Sequence, residues 1–469
     1  MKIPPFILWL IGTMMAAGLL FEQSWGINML LFTAGLILLW YVNRPTWLSA
    51  LNARLIALAS LSASAGVALG FTYYAHAAYI ICVIAMAGTL CFSSSSIPMA
   101  IGQGIWTIIS GHLAIISDRR RWISDSKASR VLKVSVFPAI IAGVFFLLYY
   151  AGSPAFALLI DNIFPDEGRN KFFWGCVWWG FILFGTFFIN EFWPGMLWEH
   201  KQKNSLTRET HKPGKISGLS TGIRKEKDHA LITLWILNIL ILMVNLTDLY
   251  FAAMDELPGG ISYSEYVHQG INTLILSLVL AISLILYHFR GGLNFFNEAG
   301  IVRSLSYLWI CQNILLALMA AYKNLLYVQE YGLTHKRIGV WVYIVLVIAG
   351  LITTYMKVRE RHSLWRLVKI NFSIAMLVLL SLSFVNWDAA IARHNLYEAR
   401  RTDFNYLFSL SDNSLPVMQN FADKSWWSEL QKEKLAHNIE GALRKRRGKD
   451  WRGMTWADYQ ILRELNINK

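Results

Sequence analysis

Length, composition and charge exclude most soluble classes for this chain. Its 469 residues are 55% hydrophobic and only 15% charged, whereas soluble domains carry about a quarter charged residues. The formal net charge of +14 collects in loops on one side of the apolar segments, which favours membrane topology and lipid contact over nucleic-acid binding. The predicted fold class is all-α, a polytopic transmembrane helix bundle.

The N-terminal region, residues 1–190, is predicted to hold six transmembrane helices. No clear cleavage site follows the first, so an uncleaved helix is favoured over a signal peptide. The weaker apolar stretch at 97–116 carries Gly102, Gln103 and His112, and it is predicted to be an interfacial or re-entrant helix, with a true span as the alternative. The first span ends near Phe21, and the others cover 25–41, 53–72, 76–92, 134–151 and 172–190.

A basic segment at 191–229 separates these helices from a second set. It combines Lys and Arg with Pro213 and several glycines, which predicts a flexible cytoplasmic linker. The C-terminal region, residues 230–387, is predicted to hold five spans. They cover 230–250, 263–289, 305–328 and 338–356, and the last ends near Trp387.

Charge asymmetry predicts the orientation of these spans, about 11 in number. When the helix ends are assigned alternately, the basic loops fall on the side of the N-terminus, and the other side receives few Lys or Arg residues. The positive-inside rule then predicts the N-terminus inside and the C-terminus outside.

The tail, residues 388–469, is predicted to be a small soluble helical region on the outer face. An amphipathic helix is predicted from Asp423 to Arg447, and a last helix begins near Thr455. About 80 residues are too few for a large independent core, so the tail is expected to pack on the membrane surface. The basic run at 444–447 is predicted to be a solvated or lipid-facing helix end.

Sequence motifs give no sign of a cofactor or of a soluble catalytic domain. There is no phosphate-binding loop, serine-hydrolase elbow or zinc-protease motif. The cysteines lie in apolar runs without a C-x-x-C pair, which indicates small buried side chains rather than disulfides or zinc ligands. These cysteines are Cys82, Cys91, Cys176 and Cys311.

The seventh and eighth spans carry the first candidate ligand-binding residues. Asn238 and Asn245 of the seventh span share one face of the helix. Asp248 lies one turn further toward the outer end and is either an interfacial aspartate in contact with headgroups or a site residue. Glu265 completes a capping box at the start of the eighth span. Glu265 and His268 also have a metal-ligand spacing known from helix bundles, but one copy of it is too weak to predict a metal site.

Four further charged residues are predicted on the outer side. Lys323 lies near the end of the ninth span, and Arg337 begins the tenth after Thr334, a plausible N-cap. Asp388 and Arg393 follow the last span. Opposite charges at one depth are expected to pair. Two interpretations stay open, a stabilising network between helix ends and an outward-facing polar pocket for a headgroup, an ion or an envelope precursor.

Several short motifs occur here in a characteristic order. They are Tyr-Ser-Glu-Tyr-Val-His-Gln-Gly ending at Gly270, Tyr-Gly-Leu-Thr from Tyr331, Asp-Ala-Ala-Ile-Ala-Arg-His-Asn from Asp388, and a segment from Asp403 to Pro416. With them, residues 230–416 resemble an uncharacterised family of bacterial multi-pass membrane proteins, DUF4173 or its relative DUF4153, each defined by a domain of unknown function. The resemblance implies that the protein lies in the bacterial cytoplasmic membrane, and it does not indicate a substrate.

Three functional hypotheses follow from these features. The first is a non-enzymatic transport or envelope-associated component with membrane lipids as partners and a small envelope ligand or ion at the outer site. The second is an integral-membrane enzyme acting on a lipid-linked or envelope substrate. The third is a sensor whose tail reads the envelope and whose linker passes the signal on. The sequence predicts no nucleic-acid partner and does not indicate an oligomeric state.

Overall fold

A computed structural model describes most of the chain as helices and turns. It describes residues 3–117, 166–188, 217–252, 299–399, 402–422 and 427–467, together with residues 282, 285, 286 and 289. Within those residues there is no β-strand. The predicted fifth and eighth spans, at 134–151 and 263–289, lie wholly or almost wholly outside them, as does most of the predicted linker.

The helices are numbered here in chain order with their bounds. The first six helices are α1 (Pro5–Leu20), α2 (Ile27–Asn43), α3 (Leu51–Leu69), α4 (Tyr74–Thr89), α5 (Ile97–Ser117) and α6 (Asp166–Phe188). The next four are α7 (Ser217–Ala252), α8 (Gly300–Tyr331), α9 (His335–Glu360) and α10 (Leu364–Leu382). The tail adds α11 (Trp387–Tyr397), α12 (Phe404–Leu407), α13 (Leu415–Ala422), α14 (Glu429–Arg447) and α15 (Trp456–Ile467).

Helix length and composition identify a membrane-embedded protein. The helices α3, α8, α9 and α10 are each long and apolar enough to cross a bilayer, and α1, α2, α4 and the Ala230–Leu246 part of α7 are shorter apolar helices. Large apolar side chains remain exposed along these helices, for example 62% of Leu38 and 65% of Met243. Exposed apolar faces of this extent are typical of lipid-facing surfaces. The number of spans and their orientation stay predictions.

The chain divides into two compact units. The first comprises Met1–Leu69, Tyr79–Met196 and Lys449–Thr455, and the second comprises Gly70–Ala78, Leu197–Gly448 and Trp456–Lys469. In the first unit, α1 packs against α2 and α6, and α2 packs against α3. The Trp9 indole donates a hydrogen bond to the carbonyl of Gly180 at 2.9 Å, which ties α1 to α6.

The weaker apolar stretch forms α5, one uninterrupted helix of the first unit. A Cβ on Gly104 would meet the carbonyl oxygen of Ile84, and one on Gly88 would meet that of Ala100. Such close backbone approach requires glycine on both helices and is common between membrane helices. With 21 residues the helix is long enough to cross a bilayer. Its interfacial or re-entrant position stays a prediction.

A short tail segment in the first unit binds the turn between α1 and α2. Arg452 donates a hydrogen bond to the carbonyl of Gly18 at 2.6 Å, and the backbone N–H of Ile27 donates to the carbonyl of Met454 at 3.1 Å. The Ser24 hydroxyl donates to Gly453 at 3.2 Å. This turn and the tail are both predicted on the outer side, and that orientation stays a prediction.

In the second unit, side-chain amides show that α7 and α8 run parallel. The Asn238 amide donates to the carbonyl of Leu305 at 3.1 Å, and the Asn245 amide donates to that of Gln312 at 3.0 Å. Both pairs are 67 residues apart, so the register is constant along both helices. If both helices cross the membrane, an odd number of crossings lies between them, and the sequence predicts one, at 263–289.

The helices α8, α9 and α10 alternate in direction. Asn324 on α8 donates to the carbonyl of Arg337 near the start of α9 at 3.2 Å. Asn371 on α10 donates to the Thr353 hydroxyl on α9 at 3.0 Å. Helix α7 begins at Ser217, inside the predicted flexible linker, because its Lys- and Glu-containing stretch has good helix propensity and extends the span.

The tail helices share one apolar core within the second unit. Helix α14 begins at a Ser428–Gln431 capping box, later than the predicted Asp423, and residues 423–426 are not described. The basic end of α14 is only partly solvated, which corrects the prediction for 444–447. Arg446 is buried and contacts two carboxylates. The core residues include Leu407, Met418, Trp427, Leu435, Ile439, Leu443, Ile461 and Leu465.

Candidate functional site

The predicted site residues fall in three groups. Glu265 and His268 lie outside the described residues. Asp248 lies in α7, and its side chain is not described. Lys323 is buried near the end of α8, Arg337 and Asp388 lie in the first turns of α9 and α11, and Arg393 is exposed on α11.

The turn between α8 and α9 is fixed to α11 by one asparagine. The amide of Asn395 accepts the backbone N–H of Leu333 at 2.5 Å and donates to the carbonyl of the same residue at 2.9 Å. Gly332 in this turn has a φ of 77°, and a Cβ on it would lie 2.6 Å from the Asn395 amide oxygen. Only glycine meets both conditions without strain, so the sequence holds this turn in one position.

Arg337 closes the same turn rather than reaching into open space. Its guanidinium donates to the carbonyl of Tyr331 at 2.8 Å and to that of Gly332, and it lies 4.2 Å from the centre of the Tyr327 ring. These carbonyls end α8 and have no intrahelical donor. The predicted N-cap is confirmed, because the Thr334 hydroxyl accepts the backbone N–H of Arg337 at 3.3 Å.

His335 and Asp388 form the centre of the site. His335 Nε2 and Asp388 Oδ1 are 2.6 Å apart, and the side chains are 25% and 13% exposed. The Ser411 hydroxyl donates to the other carboxylate oxygen, and the backbone N–H of His335 donates to the Tyr406 hydroxyl at 3.0 Å. The carboxylate thereby fixes the orientation of the imidazole.

The environment of Asp388 favours its ionised form. Burial opposes ionisation and would raise the pKa, but hydrogen bonds from His335 and Ser411 and the nearby imidazole outweigh burial and hold the pKa of Asp388 below its ordinary value of 3.8. Burial raises the pKa of Tyr406, and the negative charge of Asp388 acts in the same direction. The site at neutral pH therefore holds an anionic aspartate beside a neutral phenol.

The second nitrogen of His335 is the chemically open position. Nδ1 is buried and has no hydrogen-bond partner among the residues that the structure describes. When Nε2–H donates to the carboxylate, the neutral imidazole presents a lone pair at Nδ1. The Tyr73 ring lies 6.0 Å from the imidazole, and the Tyr74 ring lies 4.6 Å from that of Tyr73. The nitrogen is equipped to accept a hydrogen bond or to act as a base.

The start of α4 is positioned beside this histidine by the tail. The Asn413 amide donates to the carbonyls of Gly70 at 3.0 Å and Phe71 at 3.3 Å, just before Tyr73. Helix α4, the α8–α9 turn, α11 and the segment before α13 therefore all contribute to one polar cluster. Within the described part of the chain, no group of three His, Cys, Asp or Glu side chains is arranged to hold a metal ion.

A second polar cluster lies deep between α7 and α8. The Gln312 amide donates to Asn238 Oδ1 at 2.8 Å, in addition to the two interhelical bonds described above. The side chains of Asn238 and Asn245 are 3% and 2% exposed. The sequence predicted that these two asparagines share a face. Hydrogen bonds of this kind hold membrane helices together at about 0.6–2 kcal/mol each.

Sequence reasoning missed His335, Ser411, Tyr73 and Tyr406 as site residues. His335 directly follows the predicted N-cap, so its place at a helix end was available from the sequence. Its partner Asp388 is 53 residues away, and no helical spacing relates two residues at that distance. The sequence predicted a cluster of polar residues at the outer ends of the membrane helices, but it did not identify the histidine at the centre of that cluster.

The fold and site define a class, a polytopic helical membrane protein with a histidine–aspartate pair where a membrane helix meets a helical tail. Comparison with known families identifies the chain further. A family model described as "Domain of unknown function (DUF4153)" matches residues 29–421, and the chain belongs to this family. No curated protein and no solved structure matches the chain.

Proposed function

We propose that the chain is a non-enzymatic component of the bacterial cytoplasmic membrane, acting in transport or in envelope association. Its site is the cluster around His335 and Asp388, which faces outward and binds a small polar envelope ligand or an ion. One observation carries the proposal. The carboxylate holds one imidazole nitrogen while the other has no partner among the described residues, and a buried polar atom left unsatisfied in this way calls for an explanation such as a bound ligand, water or ion.

The surroundings of the histidine support a ligand site over a purely structural pair. His335 Nδ1 is open beside the tyrosine pair at the start of α4, where a ligand would meet both the ring nitrogen and the aromatic side chains. Arg337 and Asn395 already supply the hydrogen bonds that hold the turn together. The pair of His335 and Asp388 is therefore not needed to close the turn.

The outward orientation is part of this proposal and rests on alternation. The parallel course of α7 and α8 and the antiparallel course of α8, α9 and α10 support one crossing for each helix. The predicted excess of Lys and Arg on the opposite side supports the direction. A cysteine at Asn405, exposed near the site, is expected to react with an impermeant maleimide added to intact spheroplasts, and protection of this cysteine would contradict the orientation.

Complementation of a deletion strain tests the site. His335→Gln removes the open ring nitrogen and is expected to abolish complementation while the amount of protein in the membrane stays normal. His362→Gln is the matched control, because His362 lies just beyond the other end of α9 beside Glu360 at 2.5 Å. Full complementation by both variants at normal protein levels would contradict the proposed site.

A second candidate function is an integral-membrane enzyme acting on a lipid-linked or envelope substrate. The observation that favours it is the same pair, since a carboxylate that orients an imidazole is the arrangement of a general base. Asp388→Asn would then lower turnover by a factor on the order of 10⁴ with little effect on binding. Lipid extracts from wild-type and deletion strains that contain the same products would count against an enzyme.

A further inference from the structure

A cavity of about 350 Å³ lies in the tail, within the second unit and separate from His335. Helix α14 and the chain from α12 to α13 form its walls. Its volume lies at the lower end of the range for small-molecule sites, roughly 300–1,000 Å³. The apolar lining includes Phe408, Met418 and Ala442, and the polar lining includes His437, Asn438 and Lys445.

The rim of this cavity is positively charged. Lys445 and His437 lie on the exposed side of α14, and the ammonium of Lys434 lies 4.7 Å from the centre of the Phe408 ring. The carboxylate in the lining, Asp412, is already bound by Arg446 at 2.6 Å. Arg446 is shared between Asp412 and Asp458 and offsets one of their two negative charges, while Lys434 and Lys445 add two positive charges at the rim and favour an anion.

A glycine keeps the cavity open. Gly441 faces it in the interior of α14, and a Cβ at this position would meet no atom within 4 Å. Glycine in a helix interior costs about 0.5–1 kcal/mol relative to alanine. Neither backbone geometry nor crowding requires glycine here, so its effect is the space that it leaves beside Ala442 and Met418.

We propose that this cavity binds a small soluble amphiphilic anion, an apolar group of about ten heavy atoms that carries one carboxylate, sulfonate or phosphate. The apolar group lies against Phe408 and Met418. The anionic group lies at the rim, where Lys445 and His437 reach it and Asn438 supplies amide donors. The site takes its ligand from the aqueous phase, because its polar residues are on the exposed side of α14.

The test uses the full chain in nanodiscs of neutral phosphatidylcholine, with empty nanodiscs as the reference for partition into lipid. The probe is 1-naphthoate, and 1-naphthylmethanol is its neutral counterpart. Saturation-transfer NMR is expected to show saturable binding of naphthoate to the wild type, and weaker binding of the alcohol. Absence of saturable naphthoate binding to the wild type would overturn the proposal.

Two variants separate the apolar and charged parts of the site. Gly441→Leu fills the cavity and is expected to lower naphthoate affinity by at least about tenfold while the thermal unfolding temperature stays equal or rises. Gly339→Leu is the control, because it also adds a side chain at a helical glycine with no atom within 4 Å. Equal affinity in Gly441→Leu and the wild type would overturn the proposal.

Lys445→Met addresses the charge on an exposed residue, where the substitution leaves the core intact. It is expected to lower naphthoate affinity about tenfold, since a charged hydrogen bond contributes about 1.5–3 kcal/mol, and to leave the alcohol nearly unchanged. An equal loss for both probes, or no loss for naphthoate, would show that the cavity does not select an anion and would contradict the assignment.

Discussion

Two buried polar clusters in the second unit differ in one respect. Arg446 donates to Asp412 at 2.6 Å and to the carbonyl of Ala442 at 3.0 Å, and its Nε lies 2.9 Å from Asp458 in a charge contact outside hydrogen-bond geometry. His335 has one carboxylate partner and one open nitrogen. The first cluster joins tail helices, with one guanidinium shared by two carboxylates. The second leaves a ring nitrogen with neither a hydrogen-bond partner nor a charge contact among the described residues, and this nitrogen is the one assigned to the proposed site.

The largest effect is expected when the arginine of the structural cluster is removed. Arg446→Met removes the cation that lies 2.9 Å from the carboxylate of Asp458, which is only 6% exposed, and breaking a buried pair in this way costs about 3–5 kcal/mol. Hydrogen exchange in α14 and α15 is expected to accelerate strongly, because the tail opens locally. Arg444→Met on the exposed face of the same helix is the control, and equal protection in both variants would contradict the structural role.

An intermediate effect is expected at the turn that carries the histidine. Gly332→Ala introduces a Cβ at a φ of 77° and a ψ of 178°, against the Asn395 amide, and this backbone conformation, nearly restricted to glycine, alone costs about 1–3 kcal/mol. Gly339→Ala in open space on α9 is expected to be neutral or to stabilise by up to about 1 kcal/mol. Thermal unfolding in detergent compares the two. An unchanged unfolding temperature in Gly332→Ala would mean that the turn is not held as described.

The smallest effect is a pH dependence that involves Asp388. The pKa of this group is held below 3.8 in the folded chain, so the unfolded chain takes up the proton first as the pH falls. The stabilisation is therefore present above the unfolded pKa and is lost as the pH falls through the folded pKa. Unfolding temperatures between about pH 3 and pH 6 are expected to fall less steeply in Asp388→Asn than in the wild type. Parallel curves would contradict the stabilising hydrogen bonds.

The sequence predicted the features that depend on residues close together in the chain. The N-cap at Thr334, the approximate ends of α8 and α9, and the shared face of Asn238 and Asn245 all follow from spacing along one helix. Asp388 and Arg337 were expected on the same side, and both contribute to the region around the α8–α9 turn. The helical extension of α7 into the basic linker was not predicted, because glycines and charges indicate a loop there although the Lys- and Glu-containing stretch has good helix propensity.

The long-range pairings were beyond the reach of sequence patterns. Asp388 is 53 residues from His335, and Asp412 is 34 residues from Arg446. Such contacts depend on how the tail folds back onto the α8–α9 turn, which no periodicity records. For the same reason the sequence predicted a solvated or lipid-facing helix end at 444–447, whereas the structure buries Arg446 there. Charge runs in a sequence do not show which member has a buried partner.

The most direct test of the account is the protonation state of His335. Nitrogen-15 NMR of the full chain, with histidine labelled and His335→Gln used to assign the signal, reports which ring nitrogen carries the proton at neutral pH. The account predicts a neutral imidazole protonated at Nε2, with an unprotonated Nδ1. A ring protonated at Nδ1 alone, or at both nitrogens, would contradict the open acceptor on which the proposed site depends.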